Sequence, residues 1–353
     1  MRALGFATRS FIILLAAGTV LASRPAWPAV DAAPARLSET GLYVPGTKRI
    51  DPSLVSFRPQ YPLWSDGATK RRWLFIPPGT SIDAAGPGGW DFPVGTRLWK
   101  EFSYGLPVET RLIERLADGT WRYVAYVWRP DLGDALLAPA DGIADLAVPT
   151  TPGGRYTIPS EDDCRACHEG PAVPVLGLSA LQLSADRDPL VRHLDEIDPN
   201  ELDLVALHEA GLIRNLPAAL LDTPPRIDSA SATERAALGY LHANCGHCHN
   251  ADGALALLEM TLHVDSSVAE VRRTLTGVKS DFRMHGFDRR IVPGLPHASV
   301  LALRMRSREP LEQMPPLGTR FKDDEGIALV ERWIREDLIL AQGEANDEID
   351  QSN

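Results

Sequence analysis

Two short segments of this sequence each set a pair of cysteines three residues apart with a histidine directly behind: Cys164-Arg165-Ala166-Cys167-His168 and Cys245-Gly246-His247-Cys248-His249. On a helical turn the two thiols of such a pair lie about one turn apart. Each can then add to a vinyl group of one porphyrin while the following imidazole meets its iron. A dithiol redox site needs no histidine in that place, and a zinc site needs a third and fourth ligand at consistent spacing. All four cysteines of the chain lie inside these motifs, which leaves none for a disulfide or a zinc site elsewhere. The expectation is two covalently attached c-type haems, one on Cys164 and Cys167 with His168 as proximal ligand, the other on Cys245 and Cys248.

Thioether haem is attached outside the cytoplasm in bacteria, so the N-terminus bears on the same question. Arg2 and Arg9 precede an apolar run over 11–20 and small residues ending in Val20-Leu21-Ala22. This reads as a secretory signal peptide over 1–22, cleaved near Ala22, because the run is shorter than the roughly 20 apolar residues that span a bilayer. A periplasmic protein is expected. The 353 residues carry a formal net charge of -11 with a pI near 5.3, and their mixed charges form no basic block. Nucleic acid is thereby excluded as a partner, and redox proteins of the periplasm or membrane are expected instead.

The elements that must hold the motifs follow in order. Residues 23–42 read as a linker and 43–158 as an antiparallel β domain, a small sandwich or barrel. Its runs at 71–76, 96–104, 108–116 and 120–128 are rich in aromatic and β-branched residues between Gly, Pro and Asp clusters, and Ala117-Asp118-Gly119 reads as a hairpin turn. Tyr61-Pro62-Leu63-Trp64-Ser65-Asp66-Gly67-Ala68 reads as a turn packed by its own aromatics, with ligand contact as the other reading. Ser160 with Glu161, Asp162 and Asp163 behind it is a helix start, so the first motif rides a short helix ended by Gly170, Pro171 and Pro174. The first haem segment, 159–228, is expected to be mainly helical, most clearly over 201–212. Ser231-Ala232-Thr233-Glu234 then starts a helix that enters the second motif. A last helix over 323–340 puts Ile327, Val330, Trp333, Ile334 and Leu338 on one face, and 343–353 reads as a flexible tail.

Between these helices lies Gln313-Met314-Pro315-Pro316-Leu317-Gly318, an extended loop able to project Met314 inward. With the second motif and the helix carrying Trp333, it makes residues 229–342 resemble the small monohaem cytochrome c domain, an all-α fold. The resemblance implies His249 as proximal and Met314 as distal ligand, a pairing that raises the haem potential. The whole chain resembles an uncharacterised family of bacterial dihaem proteins, through Trp64-Ser65-Asp66-Gly67, Asn244 to Asn250 and the Met314 loop. That likeness implies haem binding and electron transfer. The fold expected is α+β multidomain: an N-terminal antiparallel β domain, a haem-bearing helical segment, and an all-α cytochrome c-like domain. A sheet followed by a haem motif also resembles, in layout, the lysine-linked hydroxylamine-oxidising c cytochromes, with neither Lys70 nor Lys100 assigned a crosslink.

The distal position of the first iron stays open. His193, His208 and His242 are candidates, His242 foremost because it sits beside the second motif, with Met260, Met284 and Met305 as donors from the later region. Three functions follow: electron transfer through both haems, a haem oxidoreductase with an open first site for peroxide or a small nitrogen compound, or a cytochrome docked to a partner by its β domain. No catalytic residue is assigned.

Overall fold

In the computed structural model, residues 32–350 are described apart from 86–88, 171–172, 196 and 264–266, with side chains through Ile339. The segment read as a signal peptide lies outside the described residues.

Strands alternate their side chains between two faces, and here both faces are put to use. Along the chain come β1 (Val55–Ser56), β2 (Thr69–Phe75), the short β3 (Ile82–Asp83), β4 (Arg97–Tyr104), β5 (Leu106–Arg115), β6 (Trp121–Trp128) and β7 (Ala135–Leu137). Six of them form one open antiparallel sheet in the order β1-β2-β4-β5-β6-β7. Leu116 to Thr120 closes β5 on β6 as the Asp118-Gly119 turn anticipates. One face carries the cross-strand row Trp73, Trp99, Leu112 and Val124, covered by Leu37, Leu42 and Tyr43 of the N-terminal segment. The other face offers Leu74 and Leu98 to Phe57, Val175, Leu178, Leu183, Leu204 and Leu207. The second layer of the β region is therefore irregular chain, not a second sheet.

β8 (Ile143–Ala147) and β9 (Arg155–Ile158) pair as a ribbon leading into α1 (Glu161–His168). Here the fold departs from expectation. Among the described residues of 159–228 the helices are α1, α2 (Leu204–Glu209) and α3 (Ala219–Asp222), and β10 (Ile213–Arg214) pairs in parallel with β3. Pro189, Pro199 and Pro217 each lack an N–H and push the preceding residue toward extended backbone. Between them, among the described residues, only α2 presents a helix face, Leu204 and Leu207, to the core that covers the sheet.

Beyond residue 228 come α4 (Ala232–Asn244), α5 (Val268–Leu275), a hairpin of β11 (Lys279–Met284) and β12 (Phe287–Arg289), α6 (Val300–Arg306) and α7 (Asp324–Asp350). The hairpin corrects the all-α expectation for this region. Met284 faces Phe287 across His285-Gly286, both at positive φ (51° and 86°), the two-residue turn whose twist suits paired strands. With seven α-helices and a six-stranded sheet among the described residues, the chain is not a β domain joined to an all-helical one.

α4 and α7 do pack together. Ala237, Leu238 and Leu241 meet Ile327, Val330, Trp333, Ile334 and Leu338 in one core, joined by Tyr61 from the N-terminal half. Tyr61 lies against Gly239 of α4, where a Cβ would stand 2.0 Å from its Cε1. Residues 33–353 cluster as one unit.

Candidate haem sites

α1 begins with a reciprocal cap. The Asp163 N–H donates to Ser160 Oγ at 3.0 Å, and the Ser160 N–H donates to the Asp163 carboxylate at 3.0 Å, satisfying donors that a helix start leaves free. The helix lies on β6, with the His168 ring 5.2 Å from that of Tyr123. His168 Nδ1 stands 2.6 Å from the Pro174 carbonyl oxygen. A carbonyl only accepts, so Nδ1 carries the proton and Nε2 keeps its lone pair. That is how second-shell contacts fix a metal-binding imidazole. Burial, the largest influence, moves the His168 pKa down to about 4, and the neutral form is the one that ligates.

Cys164, Cys167 and His168 line a cavity of about 800 Å³, within the roughly 300–1,000 Å³ typical of cofactor sites. Leu98, Phe102, Tyr123 and Tyr156 supply apolar and aromatic wall, and Arg72, Lys100 and Arg111 supply cations. Glu109, fully buried, accepts two hydrogen bonds from Arg111 (2.7 and 3.0 Å) and one from the Tyr156 hydroxyl (2.7 Å). Burial, with the neighbouring Arg72, Lys70 and Arg111, pushes the Lys100 ammonium well below its ordinary range. The donor set fits a ligand that brings its own equatorial nitrogens and asks the chain for two thiols and one imidazole.

The second motif continues from α4 as a turn. Cys248 and His249 donate to the Cys245 carbonyl at 3.1 and 2.9 Å, and Asn250 ties the turn off, donating to Gly246 and His247 carbonyls and accepting from the Asp252 and Gly253 amides. His249 is buried, and burial moves its pKa down to about 4. Its Nδ1 has no hydrogen-bond partner among the described residues, a costly state for a buried ring unless the ring is used otherwise. Cys245 borders the α4–α7 core. Of this motif only His247 lines the cavity; Cys245, Cys248 and His249 do not.

The two motifs meet. Cys167 lies beside Cys248 and His247, and the nearness of Cys248 followed by burial pushes its thiol up to about 12. The same nearness holds the Cys248 thiol low. Gly170 passes the His247 carbonyl so closely that a Cβ would come within 3.0 Å of it.

Met314 is half-buried, its N–H donating to the Arg304 carbonyl at 3.0 Å, and the Met314-Pro315 peptide is cis. The residues after it, Pro315 to Phe321, line the same cavity. The Trp64 segment holds this loop in place: the Asp66 carboxylate accepts from the Arg320 and Phe321 amides at 2.9 Å each, and Trp64 Nε1 donates to the Phe321 carbonyl at 3.1 Å. The Trp64 amide donates in turn to Asn244 Oδ1 at 2.7 Å, one residue before Cys245. The turn is thus a bracket across sheet, second motif and methionine loop.

Of the distal candidates, His242 reaches the cavity, 8% exposed, its ring 4.5 Å edge-on from His263. His263 also lines the cavity and was not anticipated. His193 is outside the cavity lining with both ring nitrogens unpartnered among the described residues, and His208 lies on α2. Met305 is in the α4–α7 core, Met260 packs against it, and Met284 is buried on the hairpin. Among the described residues no three His, Cys, Asp or Glu side chains converge as a metal-ion site. No family model, curated protein or solved structure matches the chain.

Proposed function

We propose that the chain is an exported dihaem c-type cytochrome that transfers electrons between redox partners of the periplasm or membrane. The observation that carries this reading is that the two Cys-x-x-Cys-His turns lie together beside one large cavity: Gly170, just past the first, runs against the His247 carbonyl of the second, and Cys164, Cys167, His168 and His247 all line the cavity. The attachment points of two redox groups are thereby neighbours. Bound haem would supply one-electron exchange between ferric and ferrous iron. The chain's part is to hold Nε2 of His168 unprotonated through the Pro174 carbonyl, to present the buried ring of His249, and to keep Met314 on a loop anchored by Asp66. For export, the reading rests on Arg2, Arg9 and the apolar run that follows. Among the described residues no helix is long and apolar enough to cross a membrane.

The test is intact mass together with a pyridine haemochrome assay on protein recovered from the periplasm, with its N-terminus sequenced. Two haems per chain and a start near Ser23 are expected. A mass equal to the bare polypeptide, or Cys167 joined to Cys248 as a disulfide, overturns the proposal.

A second reading, a haem oxidoreductase, is favoured by one observation: three cations, Arg72, Lys100 and Arg111, line the otherwise largely apolar cavity that also holds His168. Low-spin spectra for both haems with no cyanide uptake support electron transfer, and a high-spin haem that alone binds cyanide supports the enzyme.

A further inference from the structure

Arg72 faces Lys100 across β2 and β4, and Lys100 faces Arg111 across β4 and β5. Three cations therefore occupy directly opposed positions in one cross-strand row, and all three line the cavity beside Cys164 and His168. Like charges in directly opposed positions destabilise a sheet, and where a chain keeps such an arrangement a function is the first place to look for the compensation. The carboxylates nearby only partly offset the row. Asp195 pairs with Arg72 at 3.0 Å and Glu109 with Arg111 at 2.7 Å. Among the described residues Lys100 has no ion pair; its ammonium lies 4.9 Å from the centre of the Phe102 ring, and the Arg111 guanidinium lies 4.5 Å from the same centre. Two residues along β2, Lys70 adds a further buried cation, donating to the Leu63 carbonyl at 3.0 Å.

We propose that the Arg72-Lys100-Arg111 row is an anion-binding site, built for a carboxylate or small oxyanion held inside the cavity against the sheet. Guanidinium groups at both ends offer paired donors to planar or tetrahedral oxygens, and the central ammonium contributes a point charge. An anion brought to the row would also keep the Lys100 amine charged. Two sources share this chemistry: the carboxylates of the haem on Cys164 and Cys167, which rests on the haem reading above, and a free oxyanion entering the cavity.

The experiment uses the full protein as purified, wild type beside Lys100→Gln and the charge-retaining Lys100→Arg. Both redox midpoints are measured by spectroelectrochemistry, and inorganic phosphate is titrated calorimetrically. If the anion belongs to the haem, Lys100→Gln lowers one midpoint and leaves the other, Lys100→Arg restores it, and phosphate gives no saturable heat. If the anion is free, phosphate binds wild type saturably, at least tenfold more weakly in Lys100→Gln, and with near wild-type affinity in Lys100→Arg. Unchanged midpoints together with no saturable phosphate binding that depends on Lys100 overturn the proposal. Lys100→Met, apolar against Phe102, takes the place of Lys100→Gln if that variant does not accumulate. Protein whose mass shows no haem refutes the haem reading alone, and the phosphate titration still decides the anion site.

Discussion

Met314, on the proposed haem reading, and Asp195 are single side chains whose replacement has a measurable consequence. Axial ligands spread haem potentials over about 0.8 V, and thioether ligation favours the ferrous state. Met314→Ala is expected to lower one midpoint by on the order of 0.1 V or more, read by spectroelectrochemistry; an unshifted pair of midpoints would remove Met314 from the ligand set. Asp195 is buried, which by itself disfavours its charge, yet Arg72, Lys70 and their hydrogen bonds outweigh burial and hold its pKa below the usual carboxylate range. A carboxylate with a depressed folded-state pKa adds stability above its unfolded value, about 3.9, and loses it as the pH falls through the folded one. Asp195→Asn should therefore lower the denaturation midpoint at pH 7 and narrow the gap to wild type below about pH 4, followed by urea unfolding across pH. A gap that widens on acidification contradicts the assignment.

At the level of elements, α4 is held by one buried carboxylate and one missing side chain. Glu234 accepts two hydrogen bonds from Arg272 at 2.6 Å and one from Trp333 Nε1 at 3.2 Å, joining α4, α5 and α7. Glu234→Ala leaves a buried indole N–H and a partly exposed guanidinium without their acceptor, for a loss of about 2–3 kcal/mol in chemical denaturation. Gly239→Ala would drive a Cβ into the Tyr61 ring and should cost about 1–3 kcal/mol by overpacking. Shortening the partner tests the cause: Tyr61→Leu should reduce that cost, and a purely additive double variant would place the strain elsewhere.

Across the whole molecule, the residues that support the second motif come from both ends of the chain. Asp66 reaches the Arg320 and Phe321 amides, Trp64 reaches Asn244 and Phe321, and Tyr61 enters the α4–α7 core. Asp66→Ala leaves two amides without their acceptor and is expected to cost about 1–2 kcal/mol and to speed proteolytic cleavage in the loop around residues 314–321. Equal cleavage rates in wild type and variant would show that the bracket does not restrain the loop.

The Cys-x-x-Cys-His motifs on which the proposed haem attachment rests are legible in the sequence because they need one turn of backbone, and the Ser160 and Ser231 caps, the Asp118-Gly119 turn and the apolar face of α7 are likewise set within a few residues. His285-Gly286 is as local a signal, and reading it would have placed β11 and β12 in the region expected to be all-α. What the tertiary structure alone decides is everything resting on register and long-range packing. Arg72, Lys100 and Arg111 become a row only through the pairing of three strands, His263 joins His242 only when the loop after the second motif folds back, and Cys167 meets Cys248 across 80 intervening residues. Side-chain periodicity tells which face of a strand is apolar, but not which residue of another strand will stand opposite. That choice is made by the total burial of the assembled sheet.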